Sequence, residues 1–511
     1  MSIKTFAAID VGSFELTMKI FEFNGKNSMK EIDRIQRRLD LGTDTYFNGK
    51  ISNEKIDELC RTLSEFADRM RAYKVDGYKA YGTSAIRETE NSTIVQDQIA
   101  QHTGIKVEVL SNSEQRFLGY KAVAARGETF SKIIEDKTAI LDIGGGSIQL
   151  SLFDKDTLVS TQNIRLGVLR IQEYLNRFEV AGSRTETLIE EMAMAQLGTY
   201  KKLYLKDREI NNLIVVDDYI SPCIVRQNGS SAMLKPADYA DFQSRIRSGS
   251  TTQAALLLGI SEEKVPLVFI SAMLVERIAG MMGVSTIWAP GATLCDGIAY
   301  EYAEKNKLLQ GVHDFEKDII ACAINISKRY MGSKKRSETL ERITTTIFDS
   351  MKKVHGLGRR ERLYLRLASI LHDCGKYIGM VNIGENSYQI IMATEIIGLS
   401  HLEREIVANV ARFNYSRFVY FGQQTGATRL DKDSYLIIAK LTAILRLAGG
   451  LDRSHKQKLT GLKATLKDNR LVLTVDTQED ITLEKGFFQI REDFFKEVFS
   501  IEPVLKQHKN L

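Results

Sequence analysis

Residues Ala139-Ile140-Leu141-Asp142-Ile143-Gly144-Gly145-Gly146-Ser147-Ile148-Gln149-Leu150-Ser151-Leu152-Phe153 decide the fold. An apolar run ends in an acid. Three glycines and a serine follow, and polar and apolar residues then alternate to Phe153. The pattern reads as strand, tight turn, strand. Glycines admit positive φ and clear side chains from the concave side of the turn. Freed amides can then converge on one oxygen anion. The acid at the strand end lies beside that anion, where it can hold a divalent cation. A Gly-Gly-Gly turn is as readily a bare hairpin. A second copy breaks the tie: Phe6-Ala7-Ala8-Ile9-Asp10-Val11-Gly12-Ser13-Phe14-Glu15-Leu16-Thr17-Met18-Lys19-Ile20-Phe21 keeps the same order. Two copies imply two related lobes, each giving one acid and one phosphate turn to a shared cleft.

The chain has 511 residues, which predicts several domains. With 43% hydrophobic and 26% charged residues it has the composition of an ordinary globular protein. The net charge of +5 permits an acidic partner without demanding one. Five cysteines, Cys60, Cys223, Cys295, Cys322 and Cys374, show neither metal nor disulfide spacing, as expected of thiols in a reducing cytoplasm. No signal peptide is legible, and no run is read as a membrane span. The expected setting is cytoplasmic, with no membrane and no nucleic-acid partner.

Ile51 to Tyr73 repeats apolar residues at three and four, a helix. Tyr78 to Tyr81 is a short strand running through Gly82-Thr83-Ser84 into a helix start, which places Arg87 about one turn in. That arginine can clamp a phosphate, or pair with Glu88 or Glu90. After the strand Val107 to Leu110, Ser111 or Ser113 caps a helix with Glu114 in its first turn. An acid there serves capping and dipole equally well. The second lobe starts near residue 128. It carries Arg165 and Arg170 after its hairpin, a helix from Arg184 to Lys206, a strand Leu213 to Val216, helices Ala254 to Leu258 and Leu267 to Met282, and a Pro-Gly turn before a closing helix to about Lys307. Helical patterns dominate from Asp314 to about Leu451, and a hairpin follows from Leu462 to Val475. The expected domains are residues 1–127, 128–310, 311–458 and 459–511.

Asp10-Val11-Gly12-Ser13, Thr83-Ser84-Ala85-Ile86-Arg87, Ser111-Asn112-Ser113-Glu114 and Asp142 to Ser147 stand in an order that resembles the exopolyphosphatase / guanosine pentaphosphate phosphohydrolase family. The likeness covers residues 5 to about 305 and extends more weakly into the helical part. It implies an α/β fold: two ribonuclease-H-like lobes of the actin-like ATPase superfamily, then an all-helical HD-like domain and a small α+β terminal module. It implies metal-dependent hydrolysis of phosphoanhydride bonds, with terminal phosphate released from inorganic polyphosphate. Guanosine pentaphosphate and nucleoside triphosphates are the alternative substrates, and a non-catalytic polyphosphate or alarmone sensor is the alternative role. Glu114 matches the glutamate that handles the attacking water. Asp10 and Asp142 match the acids around Mg2+ or Mn2+. Gly12, Ser13 and Phe14, with Gly144, Gly145, Gly146 and Ser147, match the two phosphate loops, and Arg87 the phosphate arginine. A homodimer is also implied.

Three departures stand out. Ile148-Gln149 replaces the family's Thr-Glu. Gln149 cannot serve as a base but can orient water, as in the apyrase branch. Val216-Asp217-Asp218-Tyr219 stands where relatives carry Gly-Gly-Thr, and two acids there repel a polyanion. The HD pair His372-Asp373 lacks its usual companions: the upstream histidine falls near Glu341 or Arg342, the later ones at Asn386 and Asn414, and the late aspartate at Gly449. One His and one Asp do not make a transition-metal site. The helical domain is therefore expected to keep a scaffold without its chemistry. Lys201, Lys202 and Lys206, with basic residues of that domain, read either as a polymer channel or as solvated helix faces.

Overall fold

A computed structural model describes residues 3–25, 28–179, 184–230, 232–311, 313–423, 430–459 and 461–508. The chain forms two compact units, Met1–Asp318 and Ile319–Leu511.

The first unit is built on two sheets. In the first, β1 (Lys4–Val11), β2 (Glu15–Phe23), β3 (Met29–Arg38), β4 (Gly77–Gly82) and β5 (Val107–Val109) lie in the order β3-β2-β1-β4-β5. The β1–β2 and β2–β3 pairs are antiparallel, and β1–β4 and β4–β5 are parallel. In the second, β6 (Thr138–Ile143), β7 (Ile148–Asp154), β8 (Thr157–Ile164), β9 (Asn212–Asp217), β10 (Met233–Leu234) and β11 (Thr286–Trp288) lie in the order β10-β11-β9-β6-β7-β8. Without the edge strand β10, the second order repeats the first. The duplication read from the two turns is thus a duplication of whole sheets.

Strand β1 is covered on both faces, which is why it reads as a continuous apolar run. Ala7, Ile9 and Val11 face a core with Leu59, Leu63 and Phe66 of the helix Asn53–Ala72. Phe6 and Ala8 face a second cluster with Ile298, Ala299 and Ala303. Those three residues belong to the helix Leu294–Lys305, which the sequence assigns to the second lobe. Instead it packs on the first sheet and beside the helix Asn112–Ala124. Tyr302 stacks on Phe6 at 4.0 Å between ring centroids. Lys19, almost fully buried, pairs with Asp296 at 3.0 Å. The two lobes are therefore not consecutive blocks of sequence. The sequence change near residue 311 also precedes the unit boundary: Tyr120 Oη donates to Asp318 at 2.6 Å, holding this stretch in the first unit.

Strand β3, rich in charges, has no counterpart in the sequence reading. It is an edge strand, and charge on such a strand discourages pairing with another chain. Two helical stretches, Glu262–Met282 and Lys432–Leu451, are long and apolar enough to cross a membrane, contrary to the sequence reading; both are mostly buried within the protein.

In the second unit the helices Lys334–Ser350, Arg359–Leu371, Ile383–Ala393, His401–Phe413 and Lys432–Leu451 precede a sheet of β12 (Gly461–Lys467), β13 (Arg470–Asp476) and β14 (Glu502–His508). The β12–β13 hairpin is joined by β14 in parallel, after the helix Thr482–Phe499.

Close backbone contact fixes Gly167. A Cβ on Gly167 would lie 2.2 Å from Gly145 O and 2.3 Å from Ser147 N, both backbone atoms. Gly167→Ala is expected to cost about 1–3 kcal/mol or more, as overpacking does. Gly198, in the helix Arg184–Tyr200, meets nothing within 4 Å, and Gly198→Ala should gain roughly 0.5–1 kcal/mol. Urea midpoints of the two variants check the contrast.

Candidate active site

The two glycine turns close in the same way. Gly12 N donates to Glu15 O at 3.1 Å, and Gly144 N to Ser147 O at 2.9 Å. A Cβ on Gly12 would stand 2.6 Å from Glu15 O, so the first turn needs its glycine. The second turn is braced from below. Val168 N reaches Gly144 O at 3.1 Å, Leu169 N reaches Gly145 O at 3.0 Å, and Arg170 Nε reaches Gly146 O at 3.1 Å. Between the turns lies a cleft of about 790 Å3, open solvent included. Gly12, Ser13, Phe14, Gly144 and Gly145 line it, with Thr83 and Ser84 at the end of β4. Among the described residues no protein acceptor takes the amides of Ser13, Phe14 or Gly145. Ser13 Oγ sits 2.8 Å from Ser84 Oγ and 3.0 Å from Tyr46 Oη, so the first turn is pinned to the end of β4.

Acids outnumber cations in the cleft. Asp10, Glu15, Asp142, Asp217 and Asp218 face Arg116 and Lys264. Both cations are already paired: Lys264 Nζ binds Glu15 at 2.9 Å, and Arg116 forms an ion pair with Asp142. Arg116 also donates to Ser147 O at 2.9 Å, tying the helix Asn112–Ala124 to the second turn. Burial pushes the Asp142 carboxyl up to about 6, against the pull of Arg116 and aided by the charge of Asp218. Burial, then Asp218, raises Asp10 well above the carboxylate range. Asp218 is reached by the solvent of the cleft yet walled by protein, and that enclosure raises it too, with Lys264 opposing. Asp217 turns away to a structural task. It accepts from Ile220 N at 3.0 Å and Ser221 N at 2.6 Å, capping the helix Ile220–Asn228, and also from Ser271 Oγ. Only one of the two acids replacing the expected small turn is therefore presented to a ligand.

Several expected residues lie elsewhere. Glu114 does not line the cleft. Its carboxylate accepts from Ser111 N at 3.0 Å while Ser111 Oγ accepts from Glu114 N at 3.2 Å, a complete capping box. The next residue, Gln115, lines the cleft instead. Arg87 does not line it either. It donates to Leu110 O at 2.7 Å, Asn112 Oδ1 at 2.5 Å and Gln115 Oε1 at 3.2 Å, bracing the start of that helix. Gln149 is buried beside Asp142 in the β6–β7 ladder, but its amide is turned to Thr161 Oγ1 at 2.8 Å and Ser151 Oγ at 3.3 Å. Gly146 lies under Tyr46 and Glu88, and Ser147 under Arg116, both outside the lining. The sequence reading missed Gln115, Arg116, Lys264 and Thr293. Of these only Gln115 had a signal: the Ser-x-x-Glu cap assigned Glu114 to the helix start and left its neighbour to line the cleft.

A divalent cation fits this donor set. Asp10 Oδ1 is buried without a hydrogen-bond partner, an orphan acceptor aimed at no protein donor. No group of three His, Cys, Asp or Glu side chains among the described residues is placed to hold a metal alone. Mg2+ needs none, since it binds through one or two carboxylates, waters and substrate phosphates.

In the second unit His372 is fully buried. Its Nδ1 donates to Ser369 O at 2.9 Å, and burial lowers its pKa to about 4, so it is neutral. Lys376 Nζ takes Asp373 at 3.1 Å, and the Arg336 guanidinium lies 3.8 Å from the same carboxylate. Neither Glu341 nor Arg342 is at that place. Glu341 pairs with Arg366, and Arg342 donates to Leu459 O.

Paired sheets of this order around an acid-lined cleft define an actin-like ATPase fold. A crystal structure of an exopolyphosphatase from Cytophaga hutchinsonii is similar, with a TM-score of 0.53 and 19% identity, covering 60% of this chain and 100% of that one. The model of the Ppx/GppA phosphatase family matches residues 20–306, and that of its domain III residues 320–489; the chain belongs to the Ppx/GppA phosphatase family. Two guanosine-5'-triphosphate,3'-diphosphate pyrophosphatases are similar over nearly their whole length. That of Vibrio atlanticus is 20% identical over 495 residues, 93% of this chain and 92% of that one. That of Photobacterium profundum is 21% identical over 492 residues, 92% of this chain and 91% of that one.

Glu114→Ala is expected to cost about 1 kcal/mol of stability, as a lost cap does, with kcat nearly unchanged. Gln115→Ala should lower kcat and leave the melting temperature nearly unchanged. Steady-state rates and melts on both variants check the assignment. A second expectation follows from Asp217, whose carboxyl burial pushes up to about 6. A carboxyl raised above its unfolded value binds more protons folded than unfolded between those two values, so its contribution to stability grows as pH falls through 6. Asp217→Asn lacks that term. Urea midpoints should therefore shift in favour of the wild type between pH 7 and pH 5.

Proposed function

We propose that this cleft hydrolyses the terminal phosphoanhydride of a guanosine 3',5'-polyphosphate of the pentaphosphate type. The observation that carries the reading is the pair of facing glycine turns with acids at their feet. Phosphoryl transfer asks little covalent chemistry of the protein and much positioning and charge neutralisation. The unused amides of Ser13, Phe14 and Gly145 are fixed donors for phosphate oxygens and need no reorganisation during reaction. Asp10 would hold a divalent cation, which would supply neutralisation of phosphate charge. Gln115, steadied by Arg87, orients the attacking water. A glutamine can do this because the loose transition state does not require a strong base.

The compact substrate is favoured over a long polymer by the lining of the cleft. Its two cations are both paired, so it offers no extended basic track. Lys201, Lys202 and Lys206 are exposed and outside the lining. The full-length likeness to pyrophosphatases named for guanosine 5'-triphosphate,3'-diphosphate points the same way. Inorganic polyphosphate is the second substrate class, resting on the four ordered motifs. On the family resemblance we also propose Mg2+ or Mn2+ as the cation and a homodimer as the working form; on the scattered cysteines and the lack of a legible signal peptide a cytoplasmic setting; and on the missing HD companions a helical domain of HD ancestry without metal chemistry.

Phosphate release from guanosine pentaphosphate, long-chain polyphosphate and ATP, each with and without Mg2+, tests the reading. Metal-dependent release fastest from the guanosine compound is expected. Faster release from polyphosphate would reverse the substrate assignment, and no release from any of the three would remove the hydrolase reading.

A further inference from the structure

We infer that Asp218 is the partner of Asp10 in holding the divalent cation of this cleft, a place that family resemblance gives to Asp142. The inference deepens the proposed function and rests on a cation working in this cleft. Its first ground is the state of Asp142. That carboxylate is engaged by Arg116, whose other contacts, Ser147 O at 2.9 Å and Ser147 Oγ at 3.3 Å, fix the guanidinium in place. A ligand already neutralised by a buried arginine has less negative charge to offer a cation.

The second ground is the pair left over. Asp10 Oδ1 is buried and unpartnered at the end of β1. Asp218 stands one residue past the end of β9, the strand that pairs in parallel with β6. In that register Asp142 lies opposite Val216 and Ile143 opposite Asp217, so Asp218 lies just past the ends of both strands, in the lining of the cleft that Asp10 also lines. Among the described residues no hydrogen bond or ion pair engages its carboxylate, whereas Asp217 is consumed by its helix cap. Both acids line the one cleft, and a cation lying between them would be held from both sides.

The arrangement also accounts for acids at a place where relatives carry a small turn. Without a cation, Asp218 opposes a phosphate chain. With one shared between Asp10 and Asp218, each lobe contributes one carboxylate, and the remaining positions go to waters and substrate phosphates, the usual mode for Mg2+.

The test uses the full chain without substrate, with Mn2+ affinity read by electron paramagnetic resonance. Loss of a direct ligand should cost at least what loss of an outer-shell partner does, about tenfold or more. Asp218→Asn and Asp10→Asn are each expected to weaken Mn2+ binding by that factor, and Asp218→Glu to recover part of the loss. Asp142→Asn should lose less than Asp218→Asn. A loss under about tenfold in Asp218→Asn, a larger loss in Asp142→Asn, or no Mn2+ binding by the wild type overturns the inference. Circular dichroism checks each variant. If Asp142→Asn fails to fold because Arg116 is left unpaired, the Asp218 and Asp10 arms decide alone. A chain that binds Mn2+ through Asp218 yet releases no phosphate removes the hydrolase reading and leaves the metal assignment standing.

Discussion

The ion pair of Arg116 with Asp142 holds the cleft in its present form. Arg116 comes from the helix Asn112–Ala124, and Asp142 from the central strand of the second sheet. Both are largely buried, and the arginine also grips the carbonyl of Ser147. Removing one partner of such a pair typically costs about 3–5 kcal/mol, because a charge is left without compensation. The pair thus fixes helix, strand and phosphate turn as one piece. It also decides which acids remain available to a ligand.

A second tie acts from the back of the first sheet. The helix Leu294–Lys305 leaves the second lobe and packs on β1 and β2, with Lys19 and Asp296 paired beneath it. Gly297 allows this: a Cβ there would lie 1.9 Å from Leu118 O. The two sheets are thereby joined on both sides of the cleft, by Arg116 within it and by this helix behind it. Chemistry that depends on placing phosphates between two turns gains from such bracing, since positioning supplies much of the catalysis.

The cleft has a net excess of carboxylates although its ligand class is anionic. Under the proposed function a cation would offset that excess: the amides of the two turns would carry the neutral share of phosphate recognition and the cation the charged share. The glutamine in the first turn of Asn112–Ala124 fits chemistry in which water is oriented more than deprotonated.

Sequence alone determined the duplication, because a strand, an acid and a glycine turn are local patterns governed by the period of the strand and the φ freedom of glycine. That Asp10, Asp142, Gly12, Ser13, Phe14, Gly144 and Gly145 share one cleft lining follows from those patterns, and the helix Asn53–Ala72 was legible from its spacing at three and four. The contacts of Glu114, Arg87 and Gln149, which keep them out of the cleft lining, were not legible. Glu114 is one residue from Gln115, which lines the cleft, and on a helix one residue is about 100° of rotation. Which neighbour faces the ligand depended on a capping box, on a loop that needed bracing and on two hydroxyls within reach. Tertiary structure alone brought Arg116 to Asp142, carried Leu294–Lys305 onto the first sheet and put Asp218 into the cleft that Asp10 lines. Those pairings join residues far apart in the chain, and their energies exist only once both sheets are folded and water has been excluded from between them.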